Sequence, residues 1–396
     1  MQLTYDIRGK YPSEVNENLA IFLARKFILF LNKKKINQII ISQDIRKSSI
    51  YLINSFAGEI LKSKIKIEYL GILPTPLFYY FCLKFKKAGL MVTASHLSLA
   101  YNGFKFFIPP NKIWIPKNIP LLKNKKNNNP KNIFKENFIK NAYLDYLKEI
   151  KQIIKLKYNH NYYYSNKLKS PNILLFKLLP KVFKNLKIKK DSFISIYSDY
   201  DGDRIFIKYK QKLLSPEEIL FIVLKINNYQ RVGIPITIHK KIKLLFPKTK
   251  FFLIKTGHKN FKNAHKKYNL DFALEPSCHY YFFKELKTEA PILAVLNVFK
   301  FEEKYNLNEI KKINFPYLRL NTRNIKIIKK LENYAKINNF KIKKFDEFYF
   351  YKKINNYDYL AYNIRQSKTE KNLYKIFIES NKLVLINNLV NLIKND

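Results

Sequence analysis

Apolar and polar residues alternate along the first hundred positions in two rhythms. Residues 14–33 repeat with a helical period. Arg25 and Lys26 interrupt the apolar run 20–31, so it predicts an amphipathic helix packed on a core and not a membrane span. The short apolar run 39–42 predicts a buried strand and residues 48–64 a second helix. A strand over 67–72 ends before Pro74-Thr75-Pro76, and a helix over 77–87 leads into a further buried strand, 88–92. This alternation predicts an α/β architecture. The Pro-, Asn- and Lys-rich stretch 109–132 predicts a loop or linker, with KNKKNNN at 123–129 in solvent. The rhythm resumes near 134, with a strand over 193–198, a helix over 216–227 and a strand over 251–257 stopped by Gly257. From 309 the pattern predicts an α+β module. A helix lies within 309–336, strands around 347–351 and 359–364, a loop at 365–371, a strand at 374–379 and a helix at 382–394.

The strand 88–92 runs into TASHLSLAYNGFK, residues 93–105. Small polar side chains at the end of a buried strand mark the place where α/β proteins keep their chemistry. A hydrolase triad is not indicated there. Adjacent Ser95 and His96 would point to opposite faces of a strand, and a G-x-S-x-G elbow is absent. A plain polar strand end is the alternative.

DYDGDR, residues 199–204, sets three carboxylates at alternating positions after a strand. Converging within about 5 Å, they would repel by roughly 3 kcal/mol per pair at an effective dielectric near 20. A divalent cation removes that repulsion, and oxygen-only ligands point to Mg²⁺. An EF-hand fails, because Arg204 follows the third acid where Gly is needed and Lys210 stands where a bidentate Glu is needed. Three acids in five positions are unexpected as a mere turn in a chain with 29 acidic residues. In RQSKTEKN, residues 365–372, Arg365, Ser367, Lys368 and Thr369 cluster donors suited to a phosphate monoester, without the glycines of a Walker A loop. KTGH (255–258) and EPSCH (275–279) complete the set. Glu275 and Ser277, two apart on an exposed turn, suit sugar hydroxyls, with an ordinary capping turn as the alternative.

A length of 396 residues suits about two to four domains. The formal charge of +46 suggests a polyanion partner, yet its lysines are spread over the whole length alongside abundant Asn, Ile, Phe and Tyr and only 8 Gly. That spread fits compositional drift and no specific nucleic-acid partner, leaving non-specific polyanion binding at low salt. The two cysteines, Cys82 and Cys278, form no metal or disulfide pattern, which suits a reducing cytoplasm. No signal-like segment opens the chain, and no apolar run reaches roughly 18 residues, so no membrane partner is expected.

Together and in this order these stretches resemble the α-D-phosphohexomutase superfamily, most of all its bacterial phosphomannomutase/phosphoglucomutase group. Residues 5–9 look like that group's YDIRG, and QDIRKSS (43–49) resembles its D-x-R-x-S motif. TASHLSLAYNGFK resembles its phosphoserine motif with identical spacing, and DYDGDR its metal loop. KTGH, EPSCH and RQSKTE resemble the loop preceding the sugar-reading loop, that loop itself and the phosphate-binding loop. The resemblance implies three similar α/β domains with mixed sheets and a C-terminal α+β domain around a central cleft. The corresponding boundaries here are 1–133, 134–211, 212–308 and 309–396. It also implies a monomer acting on hexose phosphates, interconverting 1- and 6-phosphates of mannose or glucose.

The resemblance makes Ser95 the phosphoserine and a further metal ligand beside Asp199, Asp201 and Asp203, which would hold Mg²⁺. Arg8, His96, Lys105, Arg204 and His258 would neutralise charge and relay a proton. Glu275 and Ser277 would read the sugar. Arg365, Ser367, Lys368 and Thr369 would hold the phosphate that is not reacting. Glucose 1,6-bisphosphate would serve as intermediate and activator. Leu97-Ser98 stand where the family has Asn-Pro, and Leu274, Pro276 and Cys278 where it has Gly, Met and Gly. Replacing Asn-Pro is expected to loosen the serine loop. A non-catalytic relic that binds sugar phosphates, and a phosphoglucosamine mutase, are the alternatives.

Overall fold

The structure is a computed structural model. It describes residues 2–3, 6–110, 112–120, 122, 133–135, 139–165, 170–312, 316–355, 358–367 and 372–394. Segment 123–129 therefore lies outside the described residues. The chain forms two compact units, Met1–Leu214 with Ser277–Lys304, and Ser215–Pro276 with Tyr305–Asp396.

Within the first unit, Ala88–Val92 is buried at all five positions, as a central strand covered on both faces must be. Gln38–Gln43 lies parallel beside it and beside Lys66–Ile72. Tyr101–Ile108 returns antiparallel to Ala88–Val92 and pairs on its other edge with Ile7–Lys10, giving a mixed sheet. Helices Glu17–Lys33 and Ser49–Ile60 belong to the same core, which is rich in aromatics: Phe27, Phe56, Phe106 and Trp114 meet in it. Asn16 starts the first helix by accepting the Leu19 N–H. A second mixed sheet is built on Ile194–Ser198. This strand runs parallel to His160–Tyr164 and antiparallel to Ile205–Tyr209, so DYDGDR is the loop of a strand pair. Tyr280–Phe282 and Thr288–Glu289 pair antiparallel.

Within the second unit, Arg231–Ile234 runs parallel to Lys250–Leu253 and to Phe272–Leu274. The helix Pro216–Ile226 opens on a capping box between Ser215 and Glu218. The C-terminal sheet is antiparallel, ordered Tyr317–Thr322, Tyr374–Ser380, Tyr359–Gln366, Phe348–Lys353 and Lys341–Lys344. Helices Ile325–Ile337 and Leu383–Lys394 supply Ile328, Leu331 and Leu389 to its core. Buried Glu217 takes an ion pair from Arg319 at 2.6 Å.

Tyr101-Asn-Gly103 starts the return strand, because Gly103 lets that strand close on its neighbour; a Cβ there would lie 2.1 Å from the Ile7 carbonyl oxygen. Two expectations need correction. Gly257 does not stop a strand; that strand ends at Leu253, and Gly257, at φ +122°, precedes the helix His258–Tyr268. Segment 309–336 holds a strand as well as a helix, since Tyr317–Thr322 pairs antiparallel with Tyr374–Ser380 although its burial does not alternate. Lys341–Lys344 went unrecognised because this edge strand is exposed at every position and shows no apolar pattern.

Gly103→Ala is expected to destabilise the protein by about 3 kcal/mol, because backbone atoms cannot yield like a side chain. Urea unfolding of wild type and variant measures this.

Candidate active site

The site residues of the first unit stand on the loop after the central strand and on the loop between Ile194–Ser198 and Ile205–Tyr209. Ser95 is buried and its φ is +56°, a left-handed backbone that costs a non-glycine residue about 1–2 kcal/mol. Arg46 supplies what holds it there. Its side chain is fully buried beside Asp44, with Nε 2.8 Å from Oδ2. Its Nη2 donates to the carbonyls of Ser95 (2.6 Å) and Leu97 (2.7 Å). Its Nη1 donates to those of Ser98 (2.5 Å) and Tyr101 (2.8 Å). The expected loosening of this loop by Leu97-Ser98 is therefore opposed by four charge-assisted hydrogen bonds from one guanidinium. The Thr93 hydroxyl also accepts the Ser95 N–H at 2.8 Å. Ser48 and Ser49 accept from Asn102 at 2.7 and 3.1 Å, fixing the start of the return strand.

Asp199, Asp201 and Asp203 are buried, and their oxygens converge within 4.8 Å. One oxygen of each, Oδ2 of Asp199 and Oδ1 of Asp201 and Asp203, accepts no hydrogen bond. Buried carboxylate oxygens are seldom left so. Three such oxygens facing one another fit a hard divalent cation. Without one, burial and then the neighbouring carboxylates push Asp199 well up, and burial and Asp201 push Asp203 up. Burial acts on Asp201 in the same sense, but the Lys105 charge and hydrogen bonds from Lys105 and Thr75 hold it below the ordinary carboxylate range. Gly202, at φ +71°, allows the loop to turn so tightly; a Cβ there would meet Asn172 at 2.8 Å.

A chain of nitrogen-bearing side chains joins the two loops. His96 Nδ1 lies 3.5 Å from Ser95 Oγ. Arg204 Nη2 lies 3.1 Å from the same Nδ1, so Nδ1 accepts, because a guanidinium only donates. Arg204 Nε stands 3.7 Å from Asp199 Oδ2. Burial, Arg204 and Arg8 push His96 down to about 3, so its ring is neutral. Lys105 Nζ binds Asp201 at 2.7 Å and approaches Asp203 at 3.6 Å. Arg8 is held by Asp6 Oδ2, with Nη2 at 2.5 Å.

In the second unit, Glu275 is buried and accepts the Gly257 N–H at 3.2 Å, so the expected exposed turn is instead tucked in by an apolar strand, Phe272–Leu274. His258 opens its helix half-buried. Arg365 lies in the strand Tyr359–Gln366, and the Ser367 N–H donates to the Leu373 carbonyl at 2.7 Å. Lys368 and Thr369 lie outside the described residues. Ser277 is half-buried and belongs to the first unit.

The sequence pattern pointed to neither Thr75 nor the pair His279 and Glu289. Thr75 Oγ1 donates to Asp201 Oδ2 at 2.9 Å from the start of a helix far along the chain. His279 Nε2 accepts from Arg204 Nε at 3.1 Å, while Nδ1 stands 3.5 Å from Glu289 and 3.9 Å from Asp203. Burial and the Arg204 charge oppose a proton on this ring, while Asp203 and Glu289 favour one; the Arg204 contact at Nε2 requires the neutral ring, because an imidazolium has no acceptor. Only His279 carried a signal, as the last residue of EPSCH.

The structure thus links a buried serine on a strained loop, through a neutral imidazole and an arginine, to a carboxylate trio. Residues 2–129 match the family model described as phosphoglucomutase/phosphomannomutase, alpha/beta/alpha domain I. Phosphomannomutase of Methanocaldococcus jannaschii is 36% identical over 101 residues, 26% of this chain and 22% of that protein. Phosphoglucosamine mutase of Prochlorococcus marinus subsp. pastoris is 35% identical over 105 residues, 26% of this chain and 23% of that protein. The match thus spans about a quarter of the length of these curated relatives.

The fold is similar to the crystal structure of a phosphoglucomutase/phosphomannomutase family protein from Burkholderia thailandensis, with TM-score 0.78, 16% identity and coverage of 98% of this chain and 94% of that one. It is also similar to N-acetylphosphoglucosamine mutase of Aspergillus fumigatus in complex with GlcNAc-6P and magnesium. There the TM-score is 0.58 at 11% identity, covering 93% of this chain and 84% of that one. Residues 2–129 thus match domain I of the phosphoglucomutase/phosphomannomutase family, and the chain shares the fold of the Burkholderia protein over nearly its whole length.

Asp199→Asn relieves carboxylate repulsion and removes one of the three carboxylates that could hold a metal. Without Mg²⁺ its unfolding midpoint is expected to rise by roughly 2–4 °C. Added Mg²⁺ should stabilise wild type by about 2.7 kcal/mol at a hundredfold excess over Kd and leave the variant unmoved. Calorimetric melting with and without Mg²⁺ checks both.

Proposed function

We propose that the protein is a phosphohexomutase that interconverts hexose 1-phosphate and hexose 6-phosphate, with mannose and glucose phosphates as substrates. Phosphorylated Ser95 gives its phosphoryl group to the free hydroxyl of the sugar phosphate and forms a 1,6-bisphosphate. The bisphosphate turns over, and Ser95 takes back the other phosphate. The observation that carries this reading is the unbroken path from Ser95 Oγ through His96 and Arg204 to Asp199, with steps of 3.5, 3.1 and 3.7 Å. In this reading the chain has four domains, 1–133, 134–211, 212–308 and 309–396, the last bringing Arg365, Ser367, Lys368 and Thr369 to the non-reacting phosphate.

The chain's own residues account for most of the chemistry. Arg46 orients the Ser95 loop, so the nucleophile needs little reorganisation. Arg8, Lys105 and Arg204 supply positive charge toward the transferring group. His96, kept neutral by burial and two arginines, can accept the sugar hydroxyl proton. A dianionic phosphoryl group on Ser95 opposes those arginines and raises the ring's basicity when it is needed. His258 would assist charge neutralisation. Glu275 and Ser277 would read the ring hydroxyls. Asp199, Asp201 and Asp203 would hold Mg²⁺, which when bound withdraws charge from the phosphoryl group.

A second reading is phosphoglucosamine mutase, favoured by the name of the Prochlorococcus relative. That match covers 26% of the chain, so it weighs less for the sugar than for the reaction.

Conversion of mannose 1-phosphate, glucose 1-phosphate and glucosamine 1-phosphate, with Mg²⁺ and trace glucose 1,6-bisphosphate, tests the reading. Wild type is expected to turn over, while Ser95→Ala and chelated protein lose at least about 10³-fold. The rate ratios identify the sugar. Binding without turnover by folded wild type would instead indicate a non-catalytic relic.

A further inference from the structure

The hairpin between Lys341–Lys344 and Phe348–Lys353 closes through three residues, Phe345, Asp346 and Glu347. Asp346 has φ +48° and Glu347 φ +71°. Three-residue hairpin loops need left-handed backbone, and Gly is the residue that adopts it without strain. This chain instead places two carboxylates there, in a sequence with 29 acidic residues among 396.

Both carboxylates are engaged. Asp346 Oδ2 accepts the Thr256 N–H at 3.1 Å and its hydroxyl at 2.5 Å. Glu347 Oε2 accepts the Gln366 N–H at 2.6 Å. From beneath, buried Asn363 donates to the carbonyls of Asp346 (3.3 Å) and Phe348 (3.0 Å), which fixes the loop itself. Thr256 adjoins Gly257, whose N–H binds Glu275. Gln366 lies between Arg365 and Ser367. One strained turn therefore grips both the segment that carries Glu275 and His258 and the segment that carries Arg365 and Ser367.

We propose that Asp346 and Glu347 are positioning residues that set the spacing between the sugar-reading loop and the phosphate-holding loop, and thereby which phosphosugars fit. This inference rests on the function proposed above for those loops. Neither residue touches substrate; each acts through the backbone of a loop that does. The strain is retained because relieving it with Gly would remove the carboxylate that sets the spacing.

Titration calorimetry of the full chain with glucose 6-phosphate and with glucose 1,6-bisphosphate tests the proposal, comparing wild type, Asp346→Gly, Asp346→Asn and Glu347→Gly. Each Gly variant is expected to bind roughly tenfold more weakly, the loss of a hydrogen-bonded charged acceptor. Its unfolding midpoint should hold or rise, because Gly relieves the left-handed backbone. Asp346→Asn, whose side-chain oxygen still accepts, should recover part of the affinity. In turnover, KM should rise more than kcat falls. Unchanged binding in Asp346→Gly, or weakening that merely follows a lower unfolding midpoint, would overturn the proposal. A wild type that binds but does not turn over would refute the mutase reading and leave this comparison intact. A wild type that binds neither compound would overturn both.

Discussion

The guanidinium of Arg46 holds the serine loop in place. One buried side chain, charge-balanced by Asp44, grips the carbonyls of Ser95, Leu97, Ser98 and Tyr101. Unpaired, either charge would be strongly destabilising in that interior. Paired, the two leave enough donors to satisfy a loop that has few internal hydrogen bonds of its own. The left-handed backbone of Ser95 follows from this grip, and so does the approach of its hydroxyl to His96. The Arg46 guanidinium also stands 5.4 Å from the ring of Tyr200, inside DYDGDR, so the same group packs against the carboxylate loop. One residue thus holds the serine loop and touches the carboxylate loop.

The sparse acids of this basic chain are informative for the same reason. With 75 Lys and Arg against 29 Asp and Glu, exposed ion pairs need no explanation, but several acids are fully enclosed. Glu217 is met by Arg319, Asp44 by Arg46 and Asp201 by Lys105. In the carboxylate trio, one oxygen of each member accepts no hydrogen bond. Its local positive groups neutralise it only in part, as the raised pKa values of Asp199 and Asp203 express. A divalent cation is the simplest group that completes it.

The α/β rhythm of the first hundred residues was legible because the runs Ile39–Ile41 and Ala88–Val92 are apolar and its helices periodic. Legibility failed where burial leaves no pattern. Lys341–Lys344 is an exposed edge, and Tyr317–Thr322 is half-buried on both faces. The serine and carboxylate loops could be found because their chemistry resides in contiguous short stretches. Thr75 and Glu289 could not, because their partners are distant in sequence and their residue types are ordinary there, and His279 was marked only as the end of EPSCH. Glu275 was legible as a residue but not as a buried one, since a Pro-Ser-Cys stretch reads as exposed when the strand before it is not seen to enter the core. Cys278 shows the limit of comparison by motif. It stands where the family has Gly, yet takes the left-handed backbone itself, at φ +66°.

The central claim is that Ser95 is the nucleophile. The most direct measurement is intact and fragment mass analysis of phosphatase-treated protein after incubation with glucose 1,6-bisphosphate and Mg²⁺. The account predicts the added mass of one phosphoryl group, located on Ser95 and absent when the carboxylate trio is disrupted. No added phosphate on folded protein, or phosphate on a residue other than Ser95, would contradict it.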